Sequence, residues 1–315
     1  MNQSQVTIIV TQRERFSYTQ PSLESIYELT TMPFQLIYID GNSPSHIHQY
    51  LETKSREKGF TLIRREQFLA PNQARNLALN QINTPYVVFI DNDVLVTPHW
   101  LENLVRCAEE TQAWVVAPLY LEGKPEDEII HMAAGFAHFR YKQQRKTFFE
   151  KHRFCKRRVA SVKDKLQREE TELVEFHCAL VRTAFFKTLG LLDEQFLSAG
   201  EHFDLCLAVC EAGGTVYFEP SAVISYVLPT SFEESDLPFF LLRWSDEWNR
   251  KSLKHFQEKW LLAEDDPFLN RHYQWLTYHR QLASNNSLHK RLKLRYDSWL
   301  NRNVLSPLEN QLNLS

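Results

Sequence analysis

The stretch YVVFIDNDVLVTP, running from Tyr86 to Pro98, decides the fold. Val87, Val88, Phe89 and Ile90 form a continuous apolar run rich in β-branched residues, as expected of a strand buried on both faces of a parallel sheet. Asp91, Asn92 and Asp93 follow at once. Carboxylates delivered there emerge beyond the carboxyl end of the strand, the edge at which open α/β sheets bind ligands.

On either side of this strand, helix-like and strand-like segments alternate. VTIIV at Val6 to Val10 opens the series, and a helix from about Pro21 places Leu23, Ile26 and Tyr27 on one face. FQLIYID ends at Asp40, a second carboxylate at a strand end. Ile47, Tyr50 and Leu51 mark another helix closed by Gly59, a residue suited to a left-handed cap. FTLIR is a third strand, and PNQARNLALNQI a helix with Asn72 as its expected N-cap. Beyond the central stretch, Thr97 is expected to cap a helix with Pro98 in its first turn, followed by the short strand AWVVAP. Such alternation predicts an α/β fold, a mostly parallel central sheet flanked by helices.

From Leu121 to about Glu175 the pattern gives way to a charged insertion. Order returns with FHCALVRTAFFKTLGLLDEQF, the helix of GEHFDLCLAVCEAGG, and two further short strands, TVYFEP and AVISYV. From about Pro229 the chain reads as helical and rich in Trp, Phe and Leu. The expected organisation is an α/β domain over residues 1–228, with the basic insertion at 121–175, and a helical C-terminal extension over 229–315 packed on it. Phe240, Trp244 and Trp248 recur every four residues as an aromatic stripe, best read as packing. A membrane-surface role is the weaker reading of LHKRLKLRYDSWL.

The 315 residues are 43% hydrophobic and 24% charged, ordinary for a soluble chain with a sizeable core. A net charge of -3 argues against a protein built to neutralise nucleic-acid phosphates, so no nucleic-acid partner is expected. Five cysteines form no CxxC pair, which points to a reduced, cytoplasmic protein. No apolar run reaches transmembrane length, and the N-terminus shows no basic leader before an apolar segment. Membrane contact, if any, is expected to be peripheral, at the inner face.

An Asp-x-Asp pair at a strand end suits a divalent ion. Hard ions such as Mg2+ or Mn2+ take carboxylate oxygens and share their shell with substrate phosphates. The competing reading is a solvated turn, where Asp and Asn are favoured for local hydrogen bonding. Asp40, Arg75 and Asn76 favour the first reading, because they bring further polar groups towards the same edge.

These segments together resemble a family 2 glycosyltransferase with a GT-A fold. VTIIVTQRERF, LIYIDGNSP, PNQARNLALNQINTPYVVFIDNDVLVTPHWL, LVRTAFFKTLGLLDEQF and GEHFDLCLAVCEAGGTVYFEPSAVISYV stand in the family's order from Val6 to Val227. The resemblance implies a nucleotide-diphosphate sugar as donor, contacted by Thr11, Arg13, Asp40, Arg75, Asn76 and Asn92, and a metal held by Asp91 and Asp93. It further implies inverting transfer of the sugar to a hydroxyl acceptor, whether a glycan, a lipid-linked molecule or a small molecule, as in polysaccharide biosynthesis. TQRERF departs from the family's Pro-Thr-Tyr-Asn run after the first strand.

Two further departures fall in the catalytic half. The family's Glu-Asp pair, whose aspartate commonly deprotonates the acceptor, reads here as Glu201 and His202, with Asp204 close behind. Glu201 or His202 is expected to be the base, and Asp204 to support it. Acidic residues are equally at home in a first helical turn. Where relatives often carry a metal-holding histidine, this chain has Tyr226, a poor ligand in its neutral form. His202, Cys206 and Cys210 repeat every four residues, but one straight helix does not converge three ligands on a tetrahedral ion. His177 and Cys178 show no partner set in the sequence. No structural metal is expected at either place.

In the insertion, Lys142, Arg145, Lys146, Lys151 and Arg153 are interleaved with Tyr141, Phe148, Phe149 and Phe154. The leading expectation is a solvated, partly mobile loop over the site, with acceptor binding second. Three rival functions compete with this one. A degenerate sugar-nucleotide or glycan binder would explain His202 and Tyr226. A nucleotidyltransferase is disfavoured by the lack of a glycine-rich phosphate loop among 8 glycines, and a dehydrogenase by the lack of GxGxxG after the first strand.

Overall fold

The computed structural model describes residues 4–13, 15–227 and 232–284. In chain order the elements are β1 (Val6–Thr11), α1 (Thr19–Leu29), β2 (Phe34–Gly41), α2 (Ser45–Lys58), β3 (Thr61–Arg65), α3 (Pro71–Leu79), β4 (Tyr86–Asp91), β5 (Val94–Val96) and α4 (Trp100–Thr111). There follow β6 (Val115–Glu122), β7 (Ile129–Met132), β8 (Gly135–Lys142), β9 (Arg145–His152), β10 (Glu169–Thr171), β11 (Cys178–Arg182), α5 (Ala184–Leu189), α6 (Glu201–Glu211) and β12 (Val216–Tyr226). The helices α7 (Leu237–Arg243), α8 (Asp246–Lys259) and α9 (Pro267–Ser284) complete the described chain.

One sheet runs in the order β10-β12-β6-β11-β4-β1-β2-β3, with β5 and β7 joined at its side. Its β3-β2-β1-β4 half is parallel, as the alternation predicts. β11 enters antiparallel between β4 and β6, so the other half is mixed. Val87, Val88, Phe89 and Ile90 are fully buried. Complete burial of such side chains contributes about 1.5–3 kcal/mol each, which fixes β4 at the centre.

Several local expectations need correcting. TVYFEP and AVISYV are one strand, β12, whose register against β6 shifts between Glu219 and Val223. The helix α3 starts at Pro71, and Gln73 Oε1 accepts the Ala70 N–H at 3.2 Å, so Asn72 lies inside the first turn instead of capping it. Thr97 does not cap α4 either; its hydroxyl donates to the Val223 carbonyl at 2.8 Å, and the helix begins at Trp100. The aromatic stripe is broken at Trp244, where α7 ends and Ser245 Oγ accepts the Trp248 N–H to cap α8. LHKRLKLRYDSWL lies outside the described residues.

The largest correction concerns the insertion, which is ordered. β8 and β9 pair over their whole length as a hairpin, from Gly135 opposite His152 to Lys142 opposite Arg145. Phe148 of β9 is 4% exposed and packs on Phe203 of α6, Phe256 of α8 and Phe268 of α9, with ring centroids 4.7–5.2 Å apart. The Phe148 N–H also donates to Asp266 Oδ2 at 2.7 Å. The hairpin and the C-terminal helices therefore hold each other over the carboxyl edge of the sheet.

Candidate active site

Register assembles the site. Thr11 at the end of β1 lies beside Asp91 at the end of β4, and Cys178 of β11 lies opposite Ile90. The latter pairing sets His177 opposite Asp91, where the Asp91 N–H donates to the His177 carbonyl at 3.2 Å. The imidazole Nδ1 stands 3.3 Å from Asp91 Oδ2. Asp91, Asp93 and His177 are all buried, with ligand atoms within 4.8 Å of one another. His177 thus has the partners that the sequence did not reveal, and it places an imidazole beside Asp91 and Asp93. Tyr226 stacks on that ring instead, with centroids 4.0 Å apart.

Cationic groups surround the same carboxylate. Arg13 Nη1 lies 3.4 Å from Asp91 Oδ2, and Arg75 Nη2 3.7 Å from Oδ1. Burial alone would raise the pKa of Asp91, but His177, Arg13 and Arg75 outweigh it and hold the group below the ordinary aspartate value. Burial pulls Arg75 down to about 10, against the opposing pull of Asp91 and Glu201, and it remains a cation at neutral pH. Its guanidinium lies over the Phe176 ring at 3.8 Å, and its Nη1 is 4.0 Å from Glu201 Oε1.

The donor set fits a divalent ion. Asp91 Oδ1 is buried without a hydrogen bond, and two carboxylates with one imidazole suit Mn2+ better than the harder Mg2+. A cavity of about 490 Å³ opens beside this set and is lined by Arg13, His177, Glu201, His202, Tyr226 and Trp244, among others. Asp91 and Asp93 do not line it; Arg13, His177 and Tyr226 stand at the wall they lie behind.

Glu201 and His202 reach this cavity from the start of α6. Glu201 is 3% exposed and lies 3.4 Å from Arg243 Nη2. Burial pushes the His202 imidazole down to about 3, the pull of Glu175 being too weak to compensate, so the ring is neutral at ordinary pH. Asp204 is not brought to the cavity. Its carboxylate accepts from Lys259 Nζ at 2.9 Å and from Trp260 Nε1 at 3.0 Å, fastening α6 to the end of α8.

The remaining candidates are bound into the scaffold. Asp40 is fully buried and accepts from Gln12 Nε2, the Ser43 N–H and Arg64 Nη1 at 2.8–3.0 Å. Asn76 joins α3 to the segment before α6 through the Leu192 backbone and Glu194. Asn92 holds the loop after β1, accepting from the Arg13 N–H and donating to the Arg15 carbonyl. Phe16 and Phe68 on this side are covered by Phe239 of α7, with centroids 5.9 and 5.2 Å away. Among the described residues, no helix is long and apolar enough to cross a membrane.

The sequence matches the family described as Glycosyl transferase family 2 over residues 7–187. It is 24% identical over 155 residues to the teichoic acid poly(glycerol phosphate) polymerase of Staphylococcus epidermidis, a match covering 48% of this chain and 21% of that protein. It is 26% identical over 110 residues to an uncharacterized glycosyltransferase of Rickettsia bellii, covering 35% and 16%. Both matches therefore span only a small part of those longer relatives. Among solved structures, GalNAc-T7 with UDP, GalNAc and Mn2+ superimposes with a TM-score of 0.56 at 15% identity, over 98% of this chain and 58% of the other. S. aureus TarS 1–349 in complex with UDP-GlcNAc gives 0.53 at 14% identity, over 84% and 75%. The mannosyltransferase PcManGT of Pyrobaculum calidifontis in complex with GDP-Man and Mn2+ gives 0.54 at 13% identity, over 98% and 82%. The chain belongs to glycosyl transferase family 2 and has the GT-A fold.

Proposed function

We propose that this enzyme transfers one sugar from a nucleotide-diphosphate donor to a hydroxyl acceptor in a single, inverting displacement that depends on a divalent ion. The observation that carries this reading is the convergence of Asp91, Asp93 and His177 with Arg13 and Arg75 beside a cavity that also receives Glu201. The donors bound in PcManGT, with Mn2+, and in TarS support it.

Asp91, Asp93 and His177 would hold Mn2+ or Mg2+ with the donor diphosphate; once bound, the ion offsets the charge that builds on the departing phosphate. Arg13 and Arg75 add fixed positive charge at the same place, at no cost of reorganisation during the reaction. We assign removal of the acceptor proton to Glu201, because a neutral imidazole with a pKa of about 3 is a weak base. His202 then shapes the acceptor side of the cavity. Asp204 acts through packing, as the tie between α6 and α8.

Calorimetric titration with a panel of nucleotide-diphosphate sugars, with and without Mn2+, tests the donor site. Wild type is expected to bind one donor in a metal-dependent way, and Asp91→Ala with Asp93→Ala to lose it. Folded wild type that binds no donor would remove the basis of the reading. Binding without transfer or hydrolysis across a broad acceptor set would favour a binding protein instead, a reading to which the complete burial of Asp91 and Asp93 lends some weight.

A further inference from the structure

We propose that His131, His152 and Glu175 form a second divalent-cation site, of the zinc class, distinct from Asp91 and Asp93 and open towards the cavity. The ligand atoms of the three lie within 4.8 Å of one another. His131 Nε2 is 3.2 Å from Glu175 Oε2, and His152 Nε2 is 3.1 Å from Glu175 Oε1. A tetrahedral ion with bonds of about 2.0 Å keeps its ligands roughly 3.3 Å apart. Each histidine therefore already stands at nearly that spacing from one of the two Glu175 oxygens, and a small turn of the carboxylate brings a single oxygen to both.

The shell behind them fits as well. His131 Nδ1 is 3.5 Å from Glu122 Oε2, and Lys156 Nζ holds that carboxylate at 2.5 Å. A carboxylate behind a ligating imidazole fixes its tautomer and orientation. Without an ion, His131 faces carboxylates at both nitrogens, an arrangement that only the doubly protonated ring satisfies. A metal at Nε2 takes the place of the second proton.

The ligands come from separate elements: His131 from β7, His152 from the end of β9, and Glu175 from the segment before β11. All three line the cavity, so an ion has a way in and a position left for solvent or ligand. Two imidazoles and one carboxylate with an open position are the donor set of a zinc-class centre, not of magnesium. Glu175 also lies 3.0 Å from His177 Nε2, which places it directly behind the Asp91 set.

Zinc binding to the full chain, read by calorimetry and by the visible absorption of Co2+ as a substitute, needs neither donor nor acceptor and so does not depend on the sugar-transfer reading. Wild type and Asp91→Asn with Asp93→Asn are both expected to bind zinc at this site. His131→Gln with His152→Gln is expected to lose at least about 100-fold in affinity. Unchanged affinity in the histidine variant, or no zinc binding by wild type, overturns the proposal. Should the histidine variant not fold, as judged by circular dichroism, anomalous scattering at the zinc edge from zinc-soaked wild-type crystals decides it. A peak between His131 and His152 supports the site, and its absence there overturns it.

Discussion

Glu201 and His202 are adjacent in the chain and share one cavity, yet their chemistry differs. The carboxylate is set between two guanidinium groups, while the imidazole is held neutral by burial. Glu201→Gln is therefore expected to lower kcat by about 10²–10⁴-fold, and His202→Gln by less than about tenfold, in steady-state transfer assays. His202 and His272 also make stability depend on pH. Both are pushed down to about 3 in the fold, chiefly by burial, whereas an unfolded histidine titrates near about 6.5. Below that value the unfolded chain binds more protons, so these groups make stability fall as the pH drops from about 6.5 towards 3. Denaturation midpoints of His202→Gln with His272→Gln, compared with wild type at about pH 7 and pH 5, should show the smaller loss in the variant. At this scale the strand-end residues Asp91 and Asp93 were legible, because their carboxylates directly follow an apolar run. His177 was not, since its meeting with Asp91 depends on the antiparallel insertion of β11, a long-range pairing that local pattern does not carry.

Among the elements, the β8–β9 hairpin was the least legible. Its strands carry charged and aromatic residues with much of both faces exposed, so the period-2 signal of a half-buried strand is absent. What orders it is distant, namely the ring cluster around Phe148. Phe148→Ala should destabilise the protein by about 3–5 kcal/mol in denaturant titrations and loosen the hairpin that bears His152. Asp204→Ala tests a different joint, the tie from α6 to Lys259 and Trp260. A loss of about 1–3 kcal/mol of stability is expected, with transfer per folded molecule nearly intact. A folded Asp204→Ala protein without transfer would return this residue to the catalytic set.

Across the whole molecule, the sheet, hairpin and C-terminal helices meet in one large hydrophobic cluster, beside which Phe240, Trp244, Leu253 and Leu276 form a smaller one with Ala199. Phe239, Phe256, Trp260 and Phe268 pack in the same cluster as β1 and β4, so the helices after residue 229 are tied into the core of the sheet. Composition detects a change of element type, not shared burial. Removing residues 229–315 is expected to abolish the cooperative thermal transition seen by calorimetry, while the intact chain unfolds in a single step. The same arrangement has an optical consequence. The Arg13 guanidinium lies 5.8 Å from the ring of the buried Trp244 and 3.4 Å from Asp91. An indole so placed is a native fluorophore wired to the proposed diphosphate site, and its emission should report the arrival of a diphosphate without any attached dye.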